Sequence, residues 1–142
     1  TNDRSESLVL IRDVLLDIIR ITHSFENMPL WISNISGNAW SSYGIYMALR
    51  DMIEKNISSV SIEANLTTTF GGIINDMVTI LDHAPQCDEW KKLWSLVWSL
   101  YDPLEAFETC NADEFFDERN SEVGTFGIDV SYIPNKKNRI SE

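Results

Sequence analysis

Few residues in this chain have the chemistry for catalysis, and their spacing decides which chemistry is open to them. There are two histidines, His23 and His83, and two cysteines, Cys87 and Cys110. A cysteine nucleophile needs a neighbouring base, and that base needs a third group to orient it. His83 and Cys87 stand four residues apart across Pro85, with no orienting residue marked beside them. Both histidines fall at the expected C-terminal ends of helices, where the helix dipole favours an imidazole, so a structural role is expected for each. HExxH, GxSxG, Walker A, GxGxxG, EF-hand and CxxC patterns are absent from the chain. The spacing of Cys87 and Cys110 permits one disulfide without implying it, and two unpaired thiols are the simpler reading.

Carboxylates offer the remaining route to chemistry. Asp113 and Asp117, and likewise Glu114 and Glu118, are four apart and would share one helix face. Such a pair can hold a divalent ion or divide acid and base roles. A solvated surface face is the commoner reason for this spacing. The expectation is therefore a protein that is not an enzyme, with no metal and no cofactor.

Charge placement carries more information than any motif. Over 142 residues, 22 Asp and Glu oppose 11 Lys and Arg, giving a formal net charge of -11. Affinity for nucleic-acid backbone or anionic lipid comes from clustered Lys and Arg, so direct binding to nucleic acid or membrane is not expected. The acids are uneven along the chain. From Asp102 to Asp129 there are nine (Asp102, Glu105, Glu108, Asp113, Glu114, Asp117, Glu118, Glu122 and Asp129) against the single basic Arg119. Leu104, Phe107, Phe115, Phe116 and Phe126 are interleaved with them. Charge steers an encounter and buried aromatics supply affinity, so this segment suits a basic protein partner. Asp113, Glu114, Phe115, Phe116, Asp117, Glu118 and Glu122 are the candidate partner-binding residues.

The elements that would position these groups follow from hydrophobic periodicity. Leu8, Ile11, Leu15 and Ile18 recur at helical spacing after a capping pattern at Asp3 and Glu6, predicting a first helix over 5–23. A second is expected from Ala39 to Lys55, capped by Asn38. The alternating run Ile57–Ile62 reads as a short strand or a loop. A third helix is expected from about Thr67 to Leu81, with Gly71 and Gly72 weakening its start. The fourth is expected over Asp88–Tyr101. Its Trp90, Leu93, Trp94, Val97 and Trp98 share one face, which is read as core rather than as a ligand pocket.

Pro103 opens a fifth helix to Glu108, and 113–119 is expected as a sixth. Phe126, Ile128, Val130 and Tyr132 alternate with polar or small residues and predict a C-terminal strand or hairpin. The expected fold is thus mostly α, a single bundle of five to six helices around a central Trp-rich helix, with one short C-terminal strand. One helical domain covers 1–133 and a polar tail covers 134–142.

Together these readings describe a non-enzymatic interaction module, an acidic helical domain that binds or neutralises a basic protein as an inhibitor, immunity-type protein or adaptor. No signal or targeting segment is visible, so a cytoplasmic, soluble protein is expected. The alternative is a secreted glycosylated helical ligand or ectodomain, suggested by sequons at Asn34, Asn56 and Asn65. A metal-dependent enzyme built on the acidic cluster is the third reading.

Overall fold

The computed structural model describes residues 3–57 and 59–108, and the described residues are predominantly helical. Four helices are α1 (Asp3–Thr22), α2 (Leu30–Glu54), α3 (Val60–Asp82) and α4 (Asp88–Trp98). A further helical segment covers 101–108, beginning two residues before Pro103, where the sequence predicts a fifth helix to open. The described residues contain no strand. The expected sixth helix at 113–119, the strand around 126–132, the tail 134–142 and Cys110 lie outside them.

Each helix presents one buried stripe. Ile11, Leu15 and Ile18 of α1 are fully buried, as are Ile32, Ile35 and Leu49 of α2, Phe70 and Ile74 of α3, and Val97 and Trp98 of α4. These side chains form one continuous cluster, which also takes in Leu104 and Phe107 from the 101–108 segment. Packing of these stripes, more than intrinsic propensity, accounts for helices of this length in water.

The helices form a ring in chain order: α1 packs on α2 and α4, and α3 packs on α2 and α4. Helix α4 therefore occupies one corner of a four-helix arrangement instead of the expected centre. Its aromatic face reaches the shared core from the side. Trp90 stacks on Trp94 at a centroid separation of 5.0 Å, Trp94 meets Trp98 edge-on at 5.8 Å, and Trp98 lies 5.1 Å from Tyr101. Trp98 is fully buried while Trp90, at the start of the row, is half-buried. The Trp90 indole donates to the carbonyl of Leu81 at 2.8 Å, pinning the start of α4 to the end of α3.

Three boundaries differ from the periodicity reading, each for a physical reason. Helix α2 begins directly after Pro29, whose extended backbone makes it the N-cap, and runs through Gly37. Burial of Ile32 and Ile35 outweighs the penalty of about 1 kcal/mol for a helical glycine. Helix α3 begins at Val60, so the β-branched run is divided between a connection and a helix start. Ser59 caps it by accepting from the Ile62 N–H at 3.4 Å. Helix α4 stops at Trp98, short of Tyr101, because Pro103 has no N–H to donate and its ring crowds the carbonyl of Ser99.

Helix α2 ends in a Schellman motif. Asn56 adopts a left-handed conformation with φ 57°. Its N–H bonds Ile53 O at 3.1 Å while the Ile57 N–H bonds Met52 O at 2.9 Å.

Candidate functional site

The residues proposed from sequence as partner-binding, Asp113, Glu114, Phe115, Phe116, Asp117, Glu118 and Glu122, lie outside the described residues. The described structure does contain the segment that leads into them. Within 101–108, Asp102 and Glu105 are exposed, whereas Leu104, Phe107 and Glu108 are buried. Leu104 and Phe107 therefore serve the core. Phe107 lies beneath the Arg4 guanidinium, 4.5 Å from its ring centroid.

The groups weighed for catalysis are dispersed. His23 and His83 are both exposed, on the connections that follow α1 and α3. His83 Nδ1 is 2.9 Å from the carbonyl of Thr79, one turn back in its own helix, so it is engaged there and not by Cys87. Cys87 is half-buried and forms the N-cap of α4 without a side-chain cap bond. Among the described residues no three His, Cys, Asp or Glu side chains are grouped to hold a metal ion. A hydrogen bond and the charge of Asp13 hold the Arg12 guanidinium above its usual pKa, and a hydrogen bond to Asp51 does the same for Arg50. Both stay cationic at any physiological pH, so neither moves a proton.

Two surface grooves are formed by helix pairs. One, of about 600 Å³, lies between the first half of α2 and the last turns of α3, lined by Ser33, Asn34, Asn38, Ser41, Asp76 and Thr79. Most of its lining residues are polar, and one of them, Asp76, is a carboxylate. The other, of about 500 Å³, lies between α1 and α4 and is lined by Asp17, Arg20, Ile21, Lys91, Lys92, Ser95 and Leu96. Three cations face it against one acid, a reversal of sign in an acidic chain.

Ion pairing sharpens that contrast. Arg4 pairs with Glu63, Arg12 with Asp13, Arg20 with Asp17, and Arg50 with Asp51 and Glu54. Among the described residues neither Lys91 nor Lys92 has such a partner, and both are exposed. The sequence reading gave these lysines to the solvent face of α4. Their meeting with Arg20 depends on how α4 packs against α1, which no local pattern records.

The sequon asparagines Asn34, Asn56 and Asn65 are all exposed. Ser36 and Thr67, which complete two of the sequons, are buried in α2 and α3, and Thr67 Oγ1 donates to the Glu63 carbonyl at 3.0 Å. No described helix is long and apolar enough to cross a membrane. Among the described residues the two grooves offer charged and polar side chains, and His83 and Cys87 do not form a hydrogen-bonded pair. No protein-family model, curated protein or solved structure matches this chain.

Proposed function

We propose that this chain is a non-enzymatic protein-interaction module: a helical scaffold that carries an acidic, aromatic segment to a basic protein partner. The observation that carries the reading is the concentration of nine carboxylates against one arginine between Asp102 and Asp129, with Phe115 and Phe116 inside it. Carboxylates select and steer a cationic surface, and two adjacent phenylalanines supply apolar area for affinity. Asp113, Glu114, Asp117, Glu118 and Glu122 make the charged contacts in this reading. Residues 113–119 supply a further helix and 126–132 a short strand. Inhibition of the partner, immunity towards it or its recruitment as an adaptor are the roles that fit, in the cytoplasm.

Salt dependence tests the reading. Affinity capture on the immobilised full chain, repeated at about 0.05 and 0.5 M salt, is expected to retain a basic protein at the lower concentration and release it at the higher. A partner whose retention is unchanged by salt contradicts an electrostatic interface. Exposure of Asn34, Asn56 and Asn65 favours a second reading, a secreted glycoprotein. The intact mass of natively produced protein decides it, because each occupied sequon adds a glycan.

A further inference from the structure

We propose that the basic groove between α1 and α4 is a docking site for the chain's own acidic segment Asp113–Glu118. The groove presents Arg20, Lys91 and Lys92 around a floor that includes the half-buried Ile21 and Leu96. The segment reads Asp-Glu-Phe-Phe-Asp-Glu, four carboxylates enclosing two phenylalanines. Charge and apolar character are complementary: the acids meet the three cations, and the rings lie on Ile21, Leu96 and the aliphatic stems of the lysines. Arg4, Arg12, Arg20 and Arg50 are each paired with a carboxylate, Arg20 with Asp17 inside the groove, so Lys91 and Lys92 are the groove's cations open to the segment and Arg20 adds to the local charge.

The length of chain fits the span. Phe107 lies against Arg4 at the start of α1, and Arg20 is on the last turns of the same helix. At 1.5 Å per residue the two arginines are separated by about 24 Å along the helix. From Glu108, an extended chain covers up to about 17 Å by Asp113, and a helical 113–118 adds about 7.5 Å, to about 24 Å at Glu118. The segment reaches the groove.

Docking requires no partner and stands independently of the proposed function. Where both hold, the groove and the basic partner compete for the same six residues, and the partner must displace the groove to bind.

Zero-length carbodiimide cross-linking of the full chain at low salt tests this, on an equimolar mixture of unlabelled and ¹⁵N-labelled protein. The expected products join Lys91 or Lys92 to a carboxylate of 113–118, in monomeric species, with both peptides carrying the same isotope. Arg20→Glu, which leaves both reacting amines in place, is expected to lower the yield of cross-links to that segment about tenfold, whereas Lys91→Glu with Lys92→Glu removes those amines and serves as the background for charge reversal. Adding Asp113→Lys, Glu114→Lys, Asp117→Lys and Glu118→Lys to that double variant is expected to restore cross-linking with the polarity reversed. Both substituted lysines are exposed, and circular dichroism checks that every variant is folded. Mixed-isotope products would overturn the proposal by assigning the groove to a second copy, as would the absence of any link between these lysines and the segment. Absent cross-links with partner binding intact reject only the docking. Cross-links without any partner reject only the interaction reading.

Discussion

Arg4 and Glu63 join the starts of two helices that lie diagonally across the bundle. The Arg4 Nη2 to Glu63 Oε2 separation is 2.6 Å, with the Glu63 side chain 6% and the Arg4 side chain 21% exposed. The same guanidinium rests on Phe107. One ion pair thus ties α1, α3 and the 101–108 segment together at the end of the bundle from which the chain continues towards its acidic residues. Removing one member of a buried pair leaves an uncompensated charge, whereas replacing both by apolar groups is often neutral. Glu63→Ala is expected to cost about 2–3 kcal/mol, discounted for the partial exposure of Arg4, and Arg4→Met with Glu63→Leu is expected to recover most of that. Urea unfolding of the singles and the double measures both. A double variant as unstable as the sum of the singles would show that the pair is not coupled.

Three glycines lie in helix interiors where the backbone does not require them. A Cβ built on Gly37, Gly44 or Gly72 meets nothing within 4 Å. Gly72→Ala is expected to stabilise the protein by about 0.5–1 kcal/mol through lower unfolded-state entropy, and Gly37→Ala and Gly44→Ala similarly. Thermal melts check this, and an unchanged or lowered Tm would indicate that these helices are not formed as described.

Much of this architecture can be read from residue order. The stripe Leu8, Ile11, Leu15 and Ile18 marks α1, and Trp90, Trp94 and Trp98 mark the buried face of α4. Ile57–Ile62 misleads because β-branched alternation imitates a strand, while Ser59 and burial of Glu63 against Arg4 favour a helix start. The second helix starts at Leu30 because Ile32 and Ile35 find the core, a tertiary fact that overrides Gly37. Of the candidate surface, the acid-rich stretch is visible in composition alone. The basic groove is not, since Arg20 and the Lys91–Lys92 pair come from helices far apart in sequence. Adjacency of the two lysines was the only local signal, and it gains meaning once α1 is known to pack beside α4.

At the end of α2, Asn56 stands where the Schellman motif needs a left-handed residue. Asn56→Gly is expected to be neutral or stabilising, and Asn56→Val to cost about 1–2 kcal/mol because a β-branched side chain clashes in that conformation. Equilibrium unfolding distinguishes them. Equal stabilities would contradict the positive φ.

Trp90 and Trp98 occupy the two ends of one aromatic row with different burdens. Trp98→Ala is expected to cost about 3–5 kcal/mol, since it empties a fully buried position. Trp90→Phe keeps most of the ring contact with Trp94 and removes the bond to Leu81 O, for about 1 kcal/mol. Chemical denaturation of the two variants gives the ordering, and a larger loss at Trp90 would contradict the placement of the row.

In the proposed function the carboxylates around Phe115 and Phe116 bind a basic protein. The most direct test of this binding compares capture of interacting proteins, identified by mass spectrometry, by the native chain and by the variant Asp113→Lys, Glu114→Lys, Asp117→Lys and Glu118→Lys, after circular dichroism shows both folded. A basic protein is expected to bind the native chain and to be lost, by about tenfold or more in affinity, from the variant. A partner retained equally by both would contradict this reading and move the interaction to another face.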